Sequence, residues 1–445
     1  MASENIAAIS TGLVASGVAV IRISGDTPLK IAEQMFKPTG KVKVCDFEPN
    51  RLYTGEILAE NFSDFGMCVY FKGPKSFTGE DTVEFHSHGG VAITRGILNK
   101  ILSLGVRLAR NGEFTKRAFL NGKLSLSSAE GLIDMINSES ESGVKAGYYL
   151  YREKLLAKVN DIQNVLTDAL SQIDVDMDFP EEDIESTATP VIARQLQECV
   201  TQIDDLLKTY RVGRTLKNGV SVAIVGKPNT GKSSTLNALL NFDKAIVSDV
   251  AGTTRDVVEG SIDINGVRFN FADTAGIRQS NDNIEMLGVN LSKKIVNQSD
   301  LIVFIADGLD FNDKDEEILD FIKDKNHIFV VNKTDCSNFT DERADLYISA
   351  INKTNVDGLR QAIYEKTVGN GIDLNGDFLC EERHFEALNN AKEKLLMAKA
   401  SVGVAPLDLL AIDVKDAWDY LGEISGKTAT EEIINNIFSK FCVGK

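Results

Sequence analysis

Gly226-Lys227-Pro228-Asn229-Thr230-Gly231-Lys232-Ser233 fits the spacing G-x-x-x-x-G-K-[ST], directly after the apolar run Ser221 to Val225 and before a helical pattern from Ser234 to Leu240. That placement gives the motif its meaning. Glycine lets backbone N–H groups close around phosphate, and the helix N-terminus adds its dipole. Lys232 reaches the outer phosphates and Ser233 offers a hydroxyl to Mg2+. Outward from this loop, residues 221 to about 370 alternate strand runs with helices, strongest at Ser221 to Val225, Leu301 to Ile305 and Ile328 to Val331. The pattern predicts a doubly wound α/β domain around a parallel sheet.

Four further motifs follow in the order that a GTP-hydrolysing domain requires. Gly252-Thr253-Thr254-Arg255-Asp256 supplies Thr254 as a second Mg2+ ligand. Asp273-Thr274-Ala275-Gly276 follows the strand Val267 to Ala272, placing Asp273 toward a metal-bound water and the Gly276 amide toward the γ-phosphate. Asn332-Lys333-Thr334-Asp335 ends a strand and reads the base. The Asp335 carboxylate accepts two hydrogen bonds from guanine, whereas adenine would leave it unpaired. Ser349-Ala350, after Tyr347-Ile348, completes the base pocket. Any one motif could be accidental, but five in order imply a GTPase. Ile277 stands where a Ras-like enzyme carries its water-orienting glutamine, so another group must align the water. The nearby acids are Asp282 and Glu285; Arg255 and Arg278 are read as surface ion-pair residues rather than arginine fingers.

The chain around this domain is 445 residues long, enough for two or three cores. Residues 1 to about 120 mix short strands, such as Val18 to Ile23 and Met67 to Phe71, with helices such as Thr94 to Leu104, predicting an α+β domain. From about Ser125 the period becomes helical, with Leu155, Val159, Ile162, Leu166 and Ile173 on one face. An acidic interruption from Asp174 to Glu185 holds seven carboxylates, and Gly213 to Gly219 reads as a linker. Helix returns after Glu381, and Thr428-Ala429-Thr430-Glu431 reads as a capping box for a last helix. The expected fold is multidomain: an α+β domain at 1–120, a helical domain from 121–219 and 376–445, and an inserted α/β domain at 220–375.

The net charge is −17, with 48 Lys plus Arg against 65 Asp plus Glu, which excludes a protein that grips polyphosphate over its whole surface. The charge is uneven: about +3 over residues 1–123 and −20 over the rest. Arg107 to Lys123 holds five basic residues and one acid, so any nucleic-acid contact is expected near the N-terminal domain or through a partner. Six scattered cysteines form no zinc or disulfide pattern, which fits a reduced cytoplasmic setting. His86-Ser87-His88 reads as strand or turn histidines rather than a metal pair. The uncharged Asn5 to Ile21 lacks a basic leader, no run is long enough to span a membrane, and the ending Cys442-Val443-Gly444-Lys445 does not suit prenylation.

With these motifs and that ending, the chain resembles the MnmE/TrmE family of tRNA-modification GTPases over essentially its whole length. The most specific signals are Ile21-Arg22-Ile23-Ser24-Gly25, Ser76-Phe77-Thr78-Gly79-Glu80-Asp81, Gly112-Glu113-Phe114-Thr115 through Gly122-Lys123, Asp178-Phe179-Pro180 and the Cys-x-Gly-Lys terminus. The resemblance implies an N-terminal domain that drives homodimerisation and binds 5-formyl- or methylene-tetrahydrofolate through Arg22, Glu84, Lys123 and Lys445. It implies GTP contacts from Asn229, Thr230, Gly231, Lys232, Ser233 and Ser234, and from Ser248, Asp249, Val250, Ala251, Gly252, Thr253 and Thr254. It further implies K+ held by Asn229, Ser248, Val250 and Thr253, and Glu285 aligning the attacking water when two G domains meet. Lys232, Thr254 and Glu285 are the expected catalytic groups. The family also implies a flavoprotein partner of the MnmG/GidA type, in a heterotetramer, and a wobble uridine as the target. Cys442 is open between a nucleophilic and a packing role. The chain departs from the family at Thr11 to Gly17, where a Gly- and Pro-rich turn is usual. Two other readings compete: an RNA-binding, ribosome-assembly GTPase of the Era/Der type, and a switch whose folate-like domain only dimerises.

Overall fold

The computed structural model describes residues 4–178, 185–240, 260–273, 295–369 and 378–445. The chain divides into two compact units, one of Met1–Ile133, Tyr149–Val200 and Ala387–Lys445, the other of Asp134–Tyr148 and Thr201–Glu386.

The first unit carries a seven-stranded sheet in the order β3-β4-β5-β6-β2-β1-β7. The strands are β1 (Ile6–Ile9), β2 (Ser16–Gly25), β3 (Phe36–Pro38), β4 (Leu52–Leu58), β5 (Ser63–Phe71), β6 (Asp81–Gly89) and β7 (Arg107–Leu108). Alternation along β2 and β6 sends Ile21, Ile23, Val83 and Phe85 into a core shared with the helices Pro28–Met35 and Val91–Ser103. Arg22, Glu84 and His86 therefore occupy the opposite face, where Ile6, Ala8, Ala109, Phe114 and Phe77 form a smaller cluster. The long helix Lys154–Asp178 packs on Leu407–Ser425: the Gln163 amide donates to the Trp418 carbonyl (2.9 Å), and the Trp418 indole donates to Thr167 (3.1 Å). The last helix, Glu431–Ser439, is capped differently from the expected box. Thr430 is the N-cap and accepts from the Ile433 amide, while the Thr428 hydroxyl donates to the Asp419 carbonyl. Two threonines competed for one cap, and Thr428 was taken by a partner nine residues back. Phe438 and Phe441 then pack with Leu126 and Ala129.

The second unit carries a six-stranded sheet, β8 (Val220–Val225), β9 (Gly260–Ile264), β10 (Val267–Asp273), β11 (Leu301–Asp307), β12 (His327–Asn332) and β13 (Leu346–Tyr347), in the order β13-β12-β11-β8-β10-β9. Among the described strands of this sheet, only the β9–β10 pair is antiparallel. The central β11 is buried throughout, with separate apolar clusters on the two faces of the sheet. The fold class is thus the expected multidomain one. The predicted linker at Gly213 to Gly219 is instead the helix Tyr210–Asn218. Its glycine serves a close approach rather than a bend: a Cβ on Gly213 would lie 2.2 Å from the Leu379 carbonyl oxygen.

Candidate functional site

The phosphate loop runs from the end of β8 to the helix Lys232–Leu240. Asn229 at φ 65° and Gly231 at φ 93° turn the chain through left-handed conformations. A Cβ at Gly231 would lie 2.2 Å from the Asn332 side-chain nitrogen, so only glycine admits the neighbouring base-reading loop. The Lys232 ammonium donates to the carbonyls of Gly226 (3.0 Å) and Lys227 (2.6 Å), which holds it inside the loop. Thr230 adds its hydroxyl to the same Lys227 carbonyl at 3.0 Å. Ser233 and Ser234 open the helix.

Asn332 at the end of β12 joins three segments. Its amide donates to the Thr230 carbonyl (2.9 Å), and its side-chain oxygen accepts from the Ala350 amide (3.1 Å). Thr334 donates through its backbone to the Ile348 carbonyl at 3.2 Å. The Asp335 carboxylate accepts from the Ser349 hydroxyl (2.6 Å) and the Cys336 thiol (3.1 Å), and these bonds, Ser349 first, hold its carboxyl below the usual range. It is therefore anionic wherever guanine would meet it. Lys333, at φ 65°, pairs with Asp307 at the end of β11 (2.6 Å). Asp273 ends β10 in register with Ile224 of β8, at the same sheet edge as the phosphate loop. Ser248, Asp249, Val250, Ala251, Gly252, Thr253, Thr254, Thr274, Ala275, Gly276 and Glu285 lie outside the described residues, as do Arg255, Ile277, Arg278 and Asp282.

In the first unit, Arg22 and Glu84 are direct cross-strand partners on β2 and β6, with Arg22 Nε 2.7 Å from Glu84 Oε1. The guanidinium lies 5.3 Å from the Phe77 ring centroid and 5.6 Å from that of Phe114. Burial pushes the Glu84 carboxyl up, but hydrogen bonds to His86 and Arg22, with Arg22's charge, outweigh it and hold the group below its ordinary pKa. Lys123 donates to the Pro74 carbonyl at 2.9 Å. The tail reaches the same sheet: Val443 bridges Asn111, and Gly444 packs against the Ile9 carbonyl, one residue past the Ala8 partner of Arg22. Lys445 follows directly.

Sequence reasoning missed two supporting arrangements. Asp307 was visible only as a carboxylate closing an apolar strand. The other is a network of Arg107, Glu113, Arg117 and Glu80, in which Arg107 binds Glu113 (2.5 Å) and Glu4 (2.8 Å), and Arg117 binds Glu80 (2.9 Å). The basic segment Arg107 to Lys123 is thus largely engaged internally: Lys116 donates to Asn435 at 2.6 Å and Lys123 to Pro74.

Residues 5–123 match the family profile described as the GTP-binding protein TrmE N-terminus, and residues 126–442 match the MnmE helical domain. The chain belongs to the MnmE/TrmE family. The tRNA modification GTPase MnmE of Clostridioides difficile (strain 630) is 37% identical over 455 aligned residues, which cover 99% of each chain. That of Caldicellulosiruptor saccharolyticus is 38% identical over 455 aligned residues and 100% of both chains. Membership makes this chain a GTPase. Era, solved with MgGDPNP and nucleotides of 16S ribosomal RNA, is 32% identical over 39% of this chain and 66% of that chain, at a TM-score of 0.28. Era is a distant neighbour only. No described helix is long and apolar enough to cross a membrane.

Proposed function

We propose that this MnmE/TrmE-family GTPase hydrolyses GTP in a K+-dependent manner in the cytoplasm. In this reading it works with a flavoprotein of the MnmG/GidA type to add an aminomethyl or carboxymethylaminomethyl group at the 5-carbon of the wobble uridine of certain tRNAs. The observation that carries the reading is full-length likeness, at 37–38% identity, to proteins named for tRNA modification. The active form is a homodimer, assembled with the flavoprotein as a heterotetramer.

The residues fit the groups this function needs. Gly231 leaves backbone room, Lys232 faces the phosphates, and Ser233 and Thr254 are the Mg2+ ligands. Asp335, anionic and braced by Ser349, suits the two N–H groups of guanine. Of the K+ set, Asn229 is the described member, turned by its left-handed backbone into the phosphate loop; Ser248, Val250 and Thr253 complete it. When bound, K+ supplies positive charge where negative charge develops on the leaving phosphate. Glu285 orients water for attack on the γ-phosphorus as the bond to the β-phosphate oxygen breaks, the role that Ile277 cannot fill.

Arg22, Glu84, Phe77 and Phe114 fit a pterin of the 5-formyl- or methylene-tetrahydrofolate class. A half-buried carboxylate reads the donor edge, aromatic rings offer walls, and Lys123 and Lys445 supply cations for the glutamate tail. When bound, the folate supplies the one-carbon unit. The test combines a variant with an ion exchange. Glu285→Ala should keep GTP binding and lose nearly all turnover, and replacing K+ by Na+ should slow the wild type. Wild-type turnover in the variant, or indifference to the cation, overturns this mechanism.

A further inference from the structure

The segment from Asp307, the last residue of β11, to Asp315 in the first turn of the helix Asp313–Ile322 belongs to none of the nucleotide motifs, yet it holds two of them. Toward the base, Asp307 Oδ2 takes the Lys333 ammonium at 2.6 Å, while Asp307 Oδ1 accepts the Leu309 amide at 2.9 Å. Toward the phosphates, the Lys227 ammonium lies 2.7 Å from Asp315 Oδ2 and 3.2 Å from Asp310 Oδ2, and it also donates to the Asp310 carbonyl. Asp315 is fully buried, and its Oδ2 further accepts the Asn312 amide at 2.9 Å as part of the capping box of the helix Asp313–Ile322. A buried carboxylate is strongly disfavoured without a cation, so the Lys227 head group is fixed in place. That matters for the site because the Lys227 carbonyl is the acceptor for both Thr230 and Lys232. The head group of Lys227 anchors the residue on which the phosphate-facing lysine rests.

We propose that the acidic Asp307–Asp315 segment is a brace that sets the spacing between the phosphate loop, through Lys227, and the base-reading loop, through Lys333. Asp307, Asp315 and Lys227 are positioning residues, acting on guanine nucleotides through Lys232 and Lys333. On the GTP-site reading proposed above, on which this inference rests, both loops contact the nucleotide before and during reaction, so the brace contributes uniform binding rather than transition-state binding. Its loss raises the dissociation constants of GDP and GTP together and leaves the saturated rate close to wild type. A residue that only stabilises the fold would lower thermal stability without this split.

The experiment uses the full chain with Asp307→Asn, Lys227→Met and Lys227→Arg. Fluorescent GDP and GTP-analogue titrations are read beside steady-state GTP hydrolysis and thermal unfolding of the nucleotide-free protein. Asp307→Asn should weaken both nucleotides about tenfold and raise KM to match, with kcat changed less than twofold. Lys227→Met should weaken both nucleotides similarly, and Lys227→Arg, which keeps the ion pairs, should restore most of the affinity. Nucleotide affinities within twofold of wild type in folded Asp307→Asn and Lys227→Met overturn the brace. So does a kcat loss with unchanged KM, or a Lys227→Arg variant as weak as Lys227→Met. If Asp307→Asn fails to fold, the Lys227 pair decides alone.

Discussion

Asn332 and Glu113 illustrate what single side chains do in this molecule. Asn332 satisfies one backbone group in the phosphate loop and another in the base pocket, so the two loops share one rigid joint. Its motif was legible because a guanine-reading sequence has fixed spacing. Its tether was not, because Thr230 lies 102 residues away. Separation in sequence likewise hid the partners of Asp307 and Asp315, whose carboxylates look like ordinary surface charge until the chain is folded. Glu113 lies in a motif whose chemistry was equally hidden. Burial raises its carboxyl, but hydrogen bonds from Arg107 and the Arg110 amide, with the charges of Arg107 and Arg117, bring it down to about 2 from an ordinary 4.5. The unfolded chain binds that proton more readily, so the stabilisation is fully present above pH 4.5 and is lost as pH falls toward 2. The contribution is at most about 3 kcal/mol. Glu113→Gln should therefore be less stable than wild type near neutral pH, and chemical unfolding should show the gap closing below pH 4.5. A gap independent of pH contradicts the assignment.

At the scale of elements, strands were legible wherever apolar alternation or full burial imposed a period, as in β2 and β11. The helix Tyr210–Asn218 was not, because Gly213 within it, Gly219 just after it and several charges outweighed a short amphipathic stretch. What holds it helical is tertiary: Tyr210 stacks on Phe385 at 4.3 Å, and Thr209 accepts the Leu379 amide at 3.0 Å. Beside it Lys217 pairs with Asp134 (2.8 Å) and Glu381. Burial and then the Glu381 charge push the Asp134 carboxyl up against the pull of Lys217. Gly213 sits where this helix meets the Leu379 carbonyl. Alanine gains about 1 kcal/mol of helix propensity over glycine, but a Cβ at 2.2 Å from that oxygen costs more, typically about 1–3 kcal/mol for overpacking. Gly213→Ala should lower the thermal midpoint; an unchanged or raised midpoint shows that the two segments can move apart freely.

For the whole molecule, the charge map changes meaning once the fold is known. The excess of basic residues near Arg107 to Lys123 suggested a nucleic-acid surface, but Arg107 and Arg117 are bound to Glu4, Glu113 and Glu80. They hold the loop that carries Thr78 and Glu80 beside Arg22 and Glu84, since Ser24 donates to Glu80 at 2.9 Å and contacts Thr78 at 2.7 Å. The basicity of this segment therefore goes into internal ion pairs around the candidate folate face rather than into an open cationic surface. The central claim is that GTP turnover on this chain serves modification of tRNA. Its most direct test is nucleoside analysis of tRNA from cells lacking the protein, with wild type or Glu285→Ala restored. The account predicts loss of the 5-substituted wobble uridine, recovery with wild type and little recovery with the variant. Intact modification in the deletion strain would contradict it.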